Sequence, residues 1–418
     1  MSAPKLNYDL RLLVLCRALV MSNVQVPFFV LFLIRDLHAP IATALQAYAS
    51  FGLLGAALEV PTGWFADRFG RKLSIVAGSV FCIWGLCMYA TASSLGLWFL
   101  SGAVLSYTGW SLVNGADSAL ATDICAQDYD PDLAERAYVH FETQSTRITG
   151  LSMAAGSLLG AFMVWRFGLR STMWAQAAIY VPLLACACLV KSPAKQARRK
   201  APSALAITKS LAARKQLLAV FVFAAIIGAV TNIAWKVVPL YYTSVHIGSR
   251  QLPASGLGLL WALYLASQYL VKPSHPHRFQ RRFGHYGSFA ILLGLGVACY
   301  LTIGVETSLA GLAAIFVTFW ILPMQRPRLL GLTRDLSHPE ERATIMSMFR
   351  SASYLVMSVA SIAIATVIRF AGLSAGLMFA GALLGLTGGY ALWYLAAKDR
   401  AASGEQAKDK LQTLEVQS

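Results

Sequence analysis

The sequence predicts an all-α integral membrane protein of twelve transmembrane helices arranged as two six-helix bundles. Three observations predict it. Of 418 residues, 57% are hydrophobic and 13% charged, which leaves too little polar surface to cover the core of a soluble protein this long. Apolar runs of roughly 20 residues, enough to cross about 30 Å of hydrocarbon, recur along most of the chain. The bases between those runs alternate in density: the loops at 66–72, 122–140, 191–215, 272–285 and 332–342 hold 18 Lys and Arg, and the alternate loops hold 5.

The runs fall near 10–34, 42–65, 73–91, 95–121, 141–165 and 170–190 in the first half of the chain. In the second half they fall near 216–242, 254–273, 286–304, 307–331, 343–367 and 371–396. Helices are expected, because lipid offers no partner to backbone amides and the runs lack the alternating pattern of barrel strands. Ala42-Thr43-Ala44 resembles a signal-peptide cleavage site, but the run before it is too long for a signal core and reads as an anchor. The excess of bases in alternate loops places both termini in the cytoplasm, as an even number of spans requires. The net charge of +16 is interleaved with spans rather than gathered on one domain, so nucleic acid is not an expected partner. Seven cysteines sit mostly inside spans with no CxxC pair, which implies neither a disulfide framework nor a metal site. None of the four Asn begins a glycosylation sequon, and this favours a bacterial inner membrane.

The basic, Pro/Ser/Ala-rich stretch 191–215 separates two sets of six spans and reads as a cytoplasmic linker. The expected units are an N-terminal bundle at 1–190, the linker, a C-terminal bundle at 216–397 and a cytoplasmic tail at 398–418. Internal repetition supports the division. Glu135-Arg136-Ala137 precedes the fifth span and Glu341-Arg342-Ala343 the eleventh, while Arg68-Phe69-Gly70 before the third span is echoed by Arg282-Phe283-Gly284 before the ninth.

The loop GWFADRFGRK, Gly63 to Lys72, resembles the signature that the major facilitator superfamily carries between its second and third helices, with Phe65 in place of the usual Leu. The resemblance extends over the whole chain in span count, linker position and repeated halves. It implies a secondary transporter working by alternating access, not an enzyme, and no cofactor. It also implies a conformational latch built from Gly63, Asp67, Arg68, Gly70, Arg71 and Lys72. Asp67 would meet the start of the eleventh helix, and Arg71 would pair with an acid at the end of the fourth, where Asp117 and Asp123 are the candidates. Plain topogenic anchoring would account for the bases alone, but it needs no spaced Gly and Asp. The second-half copy has His277 and Arg281 near the places of the Gly and the Asp, so the latch is expected to be asymmetric.

Polar residues within spans nominate the transport path. Asn23, Asn114 and Asn232 lie in the first, fourth and seventh spans, which line the central cavity in major facilitators. Lys236 follows Asn232 by four residues, Trp110 precedes Asn114 by four, and Arg17 and Gln25 add to the first span. Arg17 and Lys236 would suit an anionic substrate, the competing account being that their long stems reach the headgroups. Arg147 with Glu142, and Arg326, lie nearer the cytoplasmic face and suit gating pairs.

The drug-exporter features of the superfamily are incomplete. Ser111 stands where an Arg would precede the fourth-helix Gly, and Ser152 to Ala161 keeps Gly156 and Gly160 of the antiporter signature without its Pro. No acid sits at mid-span, and Glu59 and Asp117 are the nearest candidates for carrying a coupling proton. No HExxH or GxxxxGK[ST] supports a hydrolase or a nucleotide-driven pump. The expected activity is export of a small amphipathic, anionic organic solute by a monomer, with protons and lipid as its other partners. Uptake of a metabolite or metal chelate is the second reading, and a non-transporting membrane sensor of the same fold is a third, of a different class.

Overall fold

The computed structural model describes residues 5–191, 215–247, 249–268, 274–305, 307–335 and 342–417. The first bundle comprises α1 (Tyr8–Val20), α2 (Phe29–Arg35), α3 (Ile41–Phe69), α4 (Arg71–Thr91), α5 (Leu97–Val113), α6 (Ala116–Asp128), α7 (Pro131–Phe167) and α8 (Ser171–Leu189). The second comprises α9 (Lys215–Ser244), α10 (Gly256–Ser267), α11 (Ser274–Phe283), α12 (His285–Val305), α13 (Leu309–Asp335) and α14 (Arg342–Gln417). A two-residue antiparallel ladder, His246–Ile247 against Arg250–Gln251, closes the turn after α9. Among the described residues, six helical runs are by themselves long and apolar enough to cross a membrane. The longest of them, Ala352–Ala397, is two spans folded back at Gly372. The linker expected at 191–215 lies almost wholly outside the described residues. The tail expected after residue 397 continues the last helix to Gln417.

The two halves repeat in backbone conformation. Gly70 (φ 107°) and Gly284 (φ 73°) turn the chain into the third span of each half, and Gly168 (φ 86°) and Gly372 (φ 85°) turn it into the sixth. A Cβ is disfavoured at such φ values, so glycine at these corners is a backbone requirement.

Among the described residues, two spans depart from the continuous helices expected. The first breaks after Val20, where Asn23 takes φ 51° and Pro27 lacks an amide to continue a ladder, and it resumes through the 3-10 turn Val26–Phe28 into α2. The fourth breaks at Asn114 and Gly115 (φ 92°), and α6 starts anew at Ala116. Backbone groups freed inside a membrane must find protein partners. Gln176 of α8, fully buried, supplies them at the first break: its Oε1 accepts from the Val24 amide at 2.7 Å, and its Nε2 donates to Ser22 Oγ at 3.0 Å. Ser152 Oγ donates to the Ala18 carbonyl. Gly156 and Gly160 let α7 lie directly on the broken segment, since a Cβ at either would collide with the carbonyls of Ser22 and Val24.

The bundles meet along α3 against the first half of α14 and along α7 against α10. The described seam is packed at the end away from the basic loops. There Gly52 admits the Ser358 side chain, Gly258 abuts the Ser157 carbonyl and Phe28, and Gln46 Nε2 reaches Thr366 Oγ1 at 3.5 Å.

Candidate functional site

A cavity of about 310 Å³ lies between the bundles, beneath this packed end. The broken first span contributes Met21, Asn23, Gln25 and Phe29; α3 contributes Tyr48 and Phe51; α5 contributes Tyr107 and Trp110. From the second bundle come Trp235 and Lys236 of α9 and Tyr354 and Met357 of α14. The wall is mainly aromatic, with tilted and edge contacts such as Phe51 to Tyr107 at 5.0 Å, and with Trp110 against Tyr354 at 6.1 Å across the two bundles. No acid lines the cavity among the described residues. Lys236 is its cation, 5% exposed, with Nζ 3.2 Å from Ser361 Oγ and 5.2 Å from the centre of the Tyr48 ring. A hydroxyl and a ring face are weak compensation for a buried ammonium. Gln25 Oε1 and the Tyr89 hydroxyl, buried on the same wall, have no hydrogen-bond partner among the described residues. The site therefore offers an aromatic body and a positive pole, with polar atoms left over for an occupant.

At the basic face, Arg71 Nη1 pairs with Asp123 Oδ2 at 2.6 Å and also donates to the Ala119 carbonyl. Burial, and then the Asp67 carboxylate nearby, push Asp123 up from the usual carboxylate range even with Arg71 in contact. Lys72 Nζ donates to the Cys188 carbonyl at 2.8 Å, and the Arg68 guanidinium lies 5.3 Å from the Trp64 ring centre. Glu59, Gly63, Asp67, Arg71 and Asn114 border a groove of about 210 Å³. The start of the eleventh span, expected opposite Asp67, has its side chains at 342–351 outside the described residues.

The sequence matches the profile of the Major Facilitator Superfamily over residues 12–361. The chain belongs to this superfamily. Solved structures with the same fold include a variant of the peptide transporter POT, 14% identical over 95% of this chain and 96% of that one, with a TM-score of 0.71. Another is the nucleoside transporter NupG, 13% identical over 93% of this chain and 99% of that one, with a TM-score of 0.75. A third is a POT family transporter in complex with 5-aminolevulinic acid, 13% identical over 93% and 96%, with a TM-score of 0.70. Comparison with curated proteins finds no match.

In this major facilitator the cavity gathers Asn23, Gln25, Trp110 and Lys236, but not every residue expected there. Asn114 lies at the break of the fourth span, facing the groove on the basic side. Asn232 lies on α9, and its side chain falls outside the described residues, as does that of Arg326. Arg17 requires a correction. It is absent from the cavity wall: its Nε donates to Asp117 Oδ2 at 2.6 Å, its Nη1 to Glu142 Oε2 at 2.8 Å and its Nη2 to Ser118 Oγ at 2.6 Å. A guanidinium fork satisfied by two carboxylates has no charge left for a substrate. Glu142, expected beside Arg147, thus holds Arg17, and also accepts from Ser118 Oγ at 2.9 Å and Tyr138 at 3.2 Å. Of the two acids weighed as partners for Arg71, Asp123 makes the pair. Asp117, in the first turn of the restarted fourth span, instead accepts the amides of Gly115 and Ser118.

Sequence reasoning passed over Tyr48, Tyr107, Tyr354 and Gln176, since a tyrosine or glutamine in an apolar helix carries no spacing signal of its own. It also took GxSxG to be absent, whereas Gly372 to Gly376 matches it; the Ser374 hydroxyl there donates to the Gly304 carbonyl at the turn between the last two spans.

Proposed function

We propose that the protein exports a small amphipathic organic anion through the central cavity by alternating access, with Lys236 as the countercharge. One observation carries this reading. A lysine buried to 5% exposure lines an aromatic cavity that has no acid on its wall among the described residues. Such an ammonium favours an occupant that brings a carboxylate or similar charge, because an unpaired charge in a dry site costs several kcal/mol. The aromatic wall supports the apolar part of the same solute. The charge asymmetry of the loops supports cytoplasmic termini, and Gly156 and Gly160 support the outward direction. The acids at Glu59 and Asp117 remain the proposed route for a coupling proton.

Proteoliposomes containing the full chain test the reading with a matched pair of probes, 4-phenylbutyrate and 4-phenylbutanol. A protonophore-sensitive flux of the carboxylate that exceeds the flux of the alcohol is expected. In Lys236→Gln the carboxylate flux should fall about tenfold or more while the alcohol is unaffected, the loss of roughly one charge-assisted contact. Equal losses for both probes would remove the charge-recognition role, and binding without flux would favour the sensor reading.

A further inference from the structure

The second-half echo of the latch loop makes a different structure from the first. Where the first copy has Asp67 and pairs Arg71 with Asp123, the second copy has no acid, and its bases form the separate helix α11. On α11, Arg278 and Arg282 stand one helical turn apart on one face. Phe279 and Phe283, each one position later, bring their ring centres within 4.9 Å of each other. Arg278, Arg281 and Arg282 are exposed, and among the described residues no carboxylate lies at ion-pairing distance from them. The Arg282 guanidinium rests 5.5 Å from the centre of the neighbouring Phe283 ring.

Directly beside these bases runs an apolar groove of about 530 Å³ between α11, α12 and α13. Arg278, Arg282 and His275 border one end, and Leu292, Leu295, Val317, Ile321 and Met324 form the trough. Trp320, 39% exposed, stands in the wall and is fixed by donating Nε1 to Ser267 Oγ at 2.8 Å.

We propose that this groove is a binding site for one anionic phospholipid, its phosphate held by Arg278 and Arg282 and an acyl chain laid along the trough between α12 and α13. A base-lined pocket between membrane helices on the positive face is the chemistry that recognises acidic headgroups. The trough in series with the bases points to a lipid, because a soluble anion would use only the polar end. The two guanidinium groups at the groove, with no acid beside them among the described residues, point to a headgroup of net negative charge over a choline headgroup, whose own cation they would repel. Since Gly284 joins α11 directly to α12, a lipid held here pins the end of the second bundle to one leaflet.

The test uses the full chain in detergent, offered phosphatidylglycerol or phosphatidylcholine of identical chains, with retained lipid counted by native mass spectrometry. One phosphatidylglycerol per chain is expected to survive and phosphatidylcholine to be lost. Arg278→Gln with Arg282→Gln should lower retention about tenfold, at roughly a few-fold per base removed, while Arg281→Gln, away from the groove, keeps it. Phosphatidylglycerol with brominated tails should quench the part of the fluorescence that disappears in Trp320→Phe, a readout that does not depend on the arginine variants. Equal retention of the two lipids, unchanged retention in the double variant, displacement by inorganic phosphate, or a groove covered by a second copy of the chain would each overturn the proposal.

Discussion

Arg17 and Lys236 are both bases placed within apolar spans, yet their surroundings give them opposite work. Arg17 is held by Asp117, Glu142 and Ser118 within the first bundle, whereas Lys236 has a hydroxyl and a tyrosine face. The consequence for Arg17 is structural. Asp117→Asn should destabilise the folded protein by about 1–3 kcal/mol, because Arg17 loses one charged partner but keeps Glu142. Arg17→Gln should cost more, because it strands the carboxylates of both Asp117 and Glu142, and it should cost less when made on top of Asp117→Asn, where one of those carboxylates is already gone. Thermal unfolding of the single and double variants in detergent decides it. A double variant whose loss equals the sum of the two singles would show that the pair is not coupled. The sequence disclosed that both bases are costly. It held no sign of which acid would reach Arg17, since Asp117 and Glu142 are 100 and 125 residues away.

At the scale of elements, the broken first span is the feature on which the cavity depends. Its break at Asn23 turns a stretch of backbone toward the space between the bundles, and Gln176, Ser152 and the two close-contact glycines of α7 absorb the cost. Gln176→Ala should leave the Val24 amide buried without an acceptor, lowering stability by about 1–3 kcal/mol. It should also weaken solute binding, because Asn23 and Gln25 ride on the same segment. Gln176→Glu should not rescue the fold, because it replaces the amide with a carboxyl buried without a cation and loses the donor to Ser22. Denaturant unfolding and solute affinity measured together test the link: a stability loss with unchanged affinity would separate the break from the cavity. The span boundaries were legible in the apolar pattern, while the breaks were not. Asn23 and Asn114 stood out as polar residues at cost, and a left-handed φ at the first or beside the second is a backbone fact that side-chain hydropathy does not carry.

At the scale of the whole molecule, the described part of the seam is closed at the end remote from the basic loops, where small residues bring α3 onto α14 and α7 onto α10. Alternating access requires this packing to separate once per cycle. Gln46→Cys with Thr366→Cys should therefore form a crosslink under oxidation, as the native side chains already approach to 3.5 Å. Transport should stop in the oxidised protein and return on reduction. Full turnover with the crosslink in place would mean that the bundles do not part here.

The sequence by itself determined that the chain lives in a bilayer, how many times it crosses, that it is duplicated, and which superfamily it joins. These properties follow from composition, run length and a loop motif, all local in the chain. Only the tertiary structure decided that Lys236 faces the cavity while Arg17 does not, that Asp123 rather than Asp117 meets Arg71, and that the echo of the latch motif became a basic helix beside an apolar groove. Each of those depends on contacts between residues distant in sequence. A charge in an apolar span announces its cost wherever it stands, but what offsets that cost is set by whichever helix packs against it.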